Sequence, residues 1–370
     1  MLFSSKRETF LFPMKKLTTQ SMTNANISET GAARALYYVA PRVAELRPAN
    51  LSSINNSDSV IVKALWSGIS RGTEKLVFEG QVPESEFERM RAPFQEGSFP
   101  FPVKYGYSVA GVVVCGPPDL IGKTVFTLHP HQTTFSVPRD SVVPLPDEIP
   151  ARRAILAANM ETALNALWDS GAGPGDRIVI VGGGAVGLLV TSLAARLPGA
   201  EVIVCDIDPA REAIARALGA SFSLPDWLGE ADADVVFHAS ATPSGLATAL
   251  LSAGFEASII ELSWYGSREV PAPLGSAFHS KRLRLISSQV GAVSNSRRAR
   301  WTHTRRLAKT LSLLGDDRLD SLITGEVAFD ELPDALPELL APRSPSLVTA
   351  VRYSDGKETA ISVNRGPTTL

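Results

Sequence analysis

Hydrophobic positions along this 370-residue chain change rhythm twice. From residue 35 to about 150, short apolar runs are set apart by glycine and proline, at 59–65, 108–115, 124–128 and 134–138. Runs of that length between turn residues predict a small antiparallel β-barrel rather than strands alternating with helices. Over 151–173, alanine, leucine and methionine recur at three- and four-residue spacing, the period of a helix.

A second regime begins at 177–181. That run has no polar alternation, nor has 201–205, and an unbroken apolar run marks a strand covered on both faces of a parallel sheet. Further strands are predicted at 234–237, 258–262 and 283–287, with helical intervals between them, one of them at 209–218. Strands alternating with helices predict a doubly wound α/β domain with a parallel sheet. Residues 296–314 read as a basic helix, and 323–353 return to strands expected to rejoin the first domain. The expected division is a disordered leader at 1–34, a β-barrel domain at 35–160, an α/β domain at 161–290, and a C-terminal helix with the return at 291–370.

Composition narrows the function. A formal net charge of −2 gives no electrostatic footprint for nucleic acid or an anionic membrane, so a small-molecule partner is expected. No stretch approaches the roughly 18 to 20 apolar residues that a membrane span needs. Cys115 and Cys205 both lie in apolar segments; they read as core residues and fit a reducing, cytoplasmic setting. The leader is rich in Ser and Thr and carries Lys6, Arg7, Lys15 and Lys16, but its only apolar patch, 10–14, is too short for a signal-peptide core. Met14 and Met22 each offer an alternative start, and an overlong N-terminus is favoured over a transit segment.

Gly182, Gly184 and Gly187 have G-x-G-x-x-G spacing, follow a predicted buried strand and open an apolar helix. In such a loop the first glycine makes the tight turn, the second admits a pyrophosphate and the third packs helix on strand; helix N–H groups hold the anion. Asp206, ending the next strand, can accept hydrogen bonds from both hydroxyls of an adenosine ribose and would repel a 2′-phosphate. The cofactor expected is therefore NAD rather than NADP. Ala185, Val186 and Ser240 complete the set read from this part of the chain.

A barrel, a helix, a Rossmann unit and a return, taken together, resemble the medium-chain dehydrogenase/reductase family, whose first domain is a GroES-like barrel. The segments that carry the likeness are "SGISRGTE" at 67–74, "YGYSVAGVV" at 105–113, "ETALNAL" at 161–167, "GAGPGDRIVIVGGGAVG" at 171–187 and "DIDPAR" at 206–211. The resemblance implies that Asp206 holds the adenosine ribose, that Arg211 flanks the adenosine and that Thr162 sits against the nicotinamide. Arg71 joins this cofactor set, and a homodimer is implied on the same ground.

Departures from the family pattern matter as much. Where zinc members carry a ligating Cys, this chain offers Ser70 or Arg71; where they carry a ligating His, it has Tyr107; a third ligand position falls on Ala158. Catalytic zinc needs three protein donors and an open position, so a zinc-free member is expected. His129 and His131, two apart, provide no third donor nearby. Without zinc, deprotonating a simple alcohol near pKa 16 instead of about 7 forfeits on the order of 12 kcal/mol.

The expected chemistry is therefore hydride transfer to or from a conjugated or ring-attached carbonyl or secondary alcohol, a type that resembles the dehydrogenase of bacteriochlorophyllide hydroxyethyl groups. A zinc-free quinone or enone reductase is the alternative within the family, and a non-catalytic dinucleotide-binding protein the alternative outside it. Candidate proton-handling residues are Tyr107, His129, Thr73 and Ser70, with the Tyr107 phenol expected to be acidified by Arg71 and a cationic nicotinamide. Trp66, Trp264 and Tyr265 are a candidate wall for a planar substrate, and Arg297, Arg298, Arg300, Arg305 and Arg306 read as one solvated helix face.

Overall fold

The structure, a computed structural model, describes residues 32–51, 58–342 and 344–353. The expected leader falls outside the described residues except for its last three, and Arg34 already opens the first strand. Nine strands precede the first long helix: β1 (Arg34–Ala40), β2 (Val43–Pro48), β3 (Ser59–Ile69), β4 (Glu96–Gly97), β5 (Val103–Lys104), β6 (Val109–Cys115), β7 (Thr124–Thr127), β8 (Thr134–Pro138) and β9 (Val143–Pro144). They form two sheets. One has the order β2-β1-β5-β4; in the other β3 is central, pairing with β6 and β8.

The run expected at 59–65 continues to Ile69, since β3 is buried along nearly its whole length. Helix α1 (Arg71–Phe78) starts two residues beyond it. The single helical stretch expected over 151–173 is two elements, α2 (Ala151–Ala154) and α3 (Ala157–Ser170), and α3 stops at Gly171 in the left-handed region at φ 71°. Glycine ends helices this way because no Cβ opposes that conformation.

The α/β half has six parallel strands: β10 (Arg177–Val181), β11 (Glu201–Cys205), β12 (Ser221–Ser223), β13 (Ala233–His238), β14 (Ala253–Glu261) and β15 (Arg284–Ser287). Their order is β12-β11-β10-β13-β14-β15, so the direction of winding reverses between β10 and β13. Between the strands run α4 (Ala185–Ala194), α5 (Glu212–Ala217), α6 (Pro225–Leu228) and α7 (Pro243–Ser252). Residues 178–180 of β10 are fully buried, as an unbroken apolar run requires.

Beyond β15 the expected basic helix starts later than its composition suggested. α8 (His303–Leu313) begins only after Thr302, whose side chain accepts a hydrogen bond from the Arg305 N–H. The arginines share no single solvated face. Arg306 is 2% exposed and pairs with Glu161 at 2.9 Å, whereas Arg297 lies over the Trp168 ring and Arg305 over Trp301. The tail forms β16 (Ile323–Ala328), α9 (Leu332–Leu339) and β17 (Val348–Arg352); β17 pairs antiparallel with β3 and parallel with β16, so the sheet built on β3 is not purely antiparallel. Cys205 is buried as expected, but Cys115, at the end of β6, is only half-buried. Among the described residues no helix is long and apolar enough to cross a membrane.

Candidate functional site

Open parallel sheets bind ligands at the carboxyl ends of their strands, where the winding reverses. Here that point lies between β10 and β13, and the glycine loop fills it. Gly182 sits at φ 110°, and a Cβ there would press on the backbone of Ala239 and Ser240 at 2.7–2.9 Å. A Cβ on Gly187 would collide with the Gly182 carbonyl oxygen, so only hydrogen lets α4 approach the loop. Around Gly184, in contrast, nothing lies within 4 Å, and it caps a 10-residue helix whose first residues, Ala185 and Val186, are half-buried. The open space at a helix N-terminus fits a pyrophosphate.

Asp206 borders this loop. Its Oδ2 accepts the Gly183 N–H at 2.6 Å and its Oδ1 the Asp208 N–H at 2.8 Å, so the carboxylate braces the glycine loop as well as facing the crevice. Arg211 lies against Gly183 and pairs with Asp208 at 3.2 Å. These residues fit a dinucleotide.

Of the positions that resemble lost metal ligands, Ser70 and Tyr107 hold hydroxyl groups and the third is Ala158. The Tyr107 hydroxyl lies near the side chains of Ser70 and Thr73, and Ser70 Oγ donates to Asn159 Oδ1 at 3.2 Å beside the buried Ala158. Among the described residues no group of three or more His, Cys, Asp or Glu is placed to hold a metal ion. Arg71 does not face this cluster. Its guanidinium donates to the carbonyls of Ala341, Pro342, Ser344 and Ser346 at 2.9–3.4 Å. Burial, reinforced by the nearby charge of Arg211, holds the pKa of Arg71 below its usual value. The expected acidification of Tyr107 is accordingly reversed: burial, aided by Glu74, pushes the phenol well above its ordinary range.

Glu74 and His131 form a pair that the sequence reading does not join: it sets His131 beside His129 with no acidic donor nearby, and the structure places the Glu74 carboxylate against His131. Both are fully buried, with His131 Nε2 3.0 Å from Glu74 Oε2 and Nδ1 2.7 Å from Ser67 Oγ. Tyr38 donates to the same carboxylate at 2.9 Å. Gly106 leaves room for the His131 ring, which a Cβ would meet at 2.7 Å. The signal in the sequence was Glu74 four residues after Ser70, whose N–H it accepts at 2.8 Å.

His129 is placed as a packing residue. Its ring stacks on Phe135 at 3.7 Å between centroids and on Phe94 at 5.5 Å, Nδ1 donates to the Pro130 carbonyl at 2.9 Å, and burial pushes its pKa down to about 3. Neither His129 nor His131 lies on a strand. Thr162 is half-buried on α3 and donates to Ala158 O at 3.3 Å. The expected aromatic wall is divided among three environments. Trp66 is in the core under Arg152, Trp264 packs against the barrel core, and the Tyr265 hydroxyl donates to Glu261 at 3.2 Å.

Ser240 belongs to a second polar cluster at the ends of β13 and β14. His238 and Glu261 are partners in the strand register; His238 Nδ1 donates to Glu261 Oε2 at 2.7 Å and Nε2 meets Ser240 Oγ at 2.8 Å. The sequence hint was a histidine closing the apolar run of β13.

No family model matches the chain. It is 26% identical over 221 residues to an uncharacterized zinc-type alcohol dehydrogenase-like protein of Haemophilus influenzae, a match covering 56% of this chain and 60% of that protein. The chain thus spans under two thirds of that curated relative. Of the solved structures, a protein of Sinorhizobium meliloti named as a zinc-binding dehydrogenase, bound to NADP, superposes with TM-score 0.69 at 17% identity, covering 87% of this chain and 99% of that one. A protein of Escherichia coli named as a short chain alcohol dehydrogenase, in complex with NADH, superposes with TM-score 0.67 at 16% identity, covering 87% of this chain and 100% of that one. The chain therefore has the two-domain α/β fold of the medium-chain dehydrogenases, and it has relatives among the zinc-type alcohol dehydrogenase-like proteins.

Proposed function

We propose that this protein is a zinc-independent, NAD(H)-dependent oxidoreductase that transfers hydride between the cofactor and a carbonyl, or secondary alcohol, conjugated with or attached to a ring. The observation that carries this reading is an open dinucleotide cradle at Gly184, bordered by Asp206, together with a cluster in which the ligand-like positions hold the hydroxyl groups of Ser70 and Tyr107 and the methyl group of Ala158. Hydroxyls without a thiolate, imidazole or carboxylate are poor zinc donors. Relatives named as dehydrogenases, with NADP or NADH bound in two structures of the same fold, support the reaction class. The Asp206 carboxylate favours NAD through its repulsion of a 2′-phosphate.

Reduced nicotinamide, when bound, supplies the hydride. The chain supplies the proton. A phenol kept protonated by burial is a donor rather than a base, so Tyr107 gives its proton to the oxygen of a carbonyl being reduced, and the hydroxyls of Ser70 and Thr73 stabilise the phenolate that remains. This favours carbonyl reduction, as does a polarised acceptor that needs no Lewis acid.

The test is NADH oxidation by dialysed, chelator-treated protein against a panel of quinones, enones and aryl ketones, with elemental analysis of the same sample. Turnover at well below one zinc per chain is expected. Turnover that requires stoichiometric zinc overturns the reading, and NADH binding without turnover on any acceptor makes the protein a dinucleotide-binding module instead.

A further inference from the structure

Glu261 ends β14 beside the C-terminal end of β13, on the side of the switch point away from Asp206. A dinucleotide anchored by its pyrophosphate at Gly184 and by its adenosine at Asp206 extends its nicotinamide half over the ends of β13 and β14. The floor there carries a carboxylate. Its Oε2 accepts from His238 Nδ1 at 2.7 Å and from the Tyr265 hydroxyl at 3.2 Å, and its Oε1 accepts the Ser263 N–H at 2.8 Å. These bonds to the charged form hold its pKa below the usual carboxylate value despite burial.

The hydrogen-bond pattern accommodates a neutral imidazole. With Nδ1–H given to Glu261, Nε2 accepts the Ser240 hydroxyl proton, and Ser240 can accept in turn from Thr242 Oγ1 at 3.0 Å. A neutral imidazole leaves the negative charge of Glu261 uncancelled. The cation placed near the cluster is Arg268, exposed to water and lying over the Tyr265 ring at 5.9 Å, where solvent screens it.

We propose that Glu261, held in place by His238, selects the redox state of the nicotinamide, favouring the cationic oxidised ring over the neutral reduced one. The inference rests on the cofactor reading above and deepens it. A site that binds the oxidised ring more tightly pulls hydride out of the reduced cofactor, the direction that a protonated Tyr107 also favours.

The experiment measures Kd for NAD and for NADH by calorimetry and fluorescence quenching at pH 8. Glu261→Gln is expected to weaken NAD binding about tenfold or more and NADH binding less than about twofold, a change in ratio of at least about fivefold, or ~1 kcal/mol. His238→Asn leaves the carboxylate charged and is expected to retain the wild-type ratio. A merely structural role for Glu261 would weaken both ligands in parallel in the Gln variant, which overturns the proposal. Should Glu261→Gln fail to fold, Glu261→Ala is measured in its place: a selective loss of NAD binding upholds the proposal, and a parallel loss of both ligands overturns it. Wild-type protein that binds neither NAD nor NADH overturns the cofactor reading itself, and this inference with it.

Discussion

Replacing Tyr107 by Phe tests the chemistry most directly, because it removes one oxygen and keeps the ring that packs against both hydrophobic cores. The fold should tolerate the change. Ser70 keeps its bond to Asn159, so the loss amounts to about one hydrogen bond, or ~1 kcal/mol in a urea titration. Turnover should suffer more. A general acid contributes about 100-fold at the low end, so its removal adds ~2.7 kcal/mol to the barrier for carbonyl reduction. The pH profile supplies an independent sign. Burial raises the phenol well above its ordinary value, so the proton donor stays loaded from neutrality upward, and reductive kcat attributable to Tyr107 should stay level to about pH 9, below the ordinary phenol value of about 10. The assay is NADH oxidation with whichever acceptor of the quinone, enone and ketone panel turns over. Turnover in the Phe variant within about threefold of wild type would refute the assignment, as would a fall in kcat centred between pH 7 and 8 that the variant lacks.

Three further outcomes are expected. Gly184→Ala should leave the melting temperature unchanged while weakening NADH binding, since open space surrounds that position; Gly187→Ala, which drives a Cβ into the Gly182 carbonyl, should destabilise the fold by about 1–3 kcal/mol and abolish binding. Equal effects in the two variants, by thermal denaturation and fluorescence titration, would contradict the cradle. Asp206→Asn keeps an oxygen that can accept a backbone N–H but removes the charge, and should shift preference toward NADPH by about 1–3 kcal/mol, with binding constants as the readout and an unchanged NADH/NADPH ratio as the refutation. His129, with a folded pKa of about 3 against about 6.5 unfolded, binds its proton in the unfolded state first; its contribution to stability is full above pH 6.5 and is lost as pH falls toward 3, at ~1.4 kcal/mol per unit. Urea midpoints of His129→Phe should show a slope shallower by one proton over that window, and a parallel slope would remove His129 as its source.

What could be read from the sequence was what depends on near neighbours. The buried strands β10 and β11 were legible because a sheet covered on both faces leaves no polar position inside the run, and Gly187 because its constraint, the Gly182 carbonyl, lies five residues away; the constraint on Gly182, from Ala239 and Ser240, is remote, and only the spacing of the glycines pointed to it. The direction of Arg71 was not legible, since the carbonyls that hold it lie about 270 residues away. With Arg71 went the sign of the Tyr107 shift, which burial between two cores decides. His129 resembled a relay in a string of letters and became a stacked ring only once Phe135, on β8, came beneath it. The His238–Glu261 pair falls between these cases. Neither residue is remarkable alone, and 23 positions separate them. Yet both close strands that are neighbours in a parallel sheet, and parallel register brings the last residues of such strands to one level. A histidine ending one buried strand and a glutamate ending the next are therefore juxtaposed by the sheet itself, at the edge where a dinucleotide binds. In a doubly wound domain, polar residues that terminate apolar runs are legible in pairs once the strand order is known.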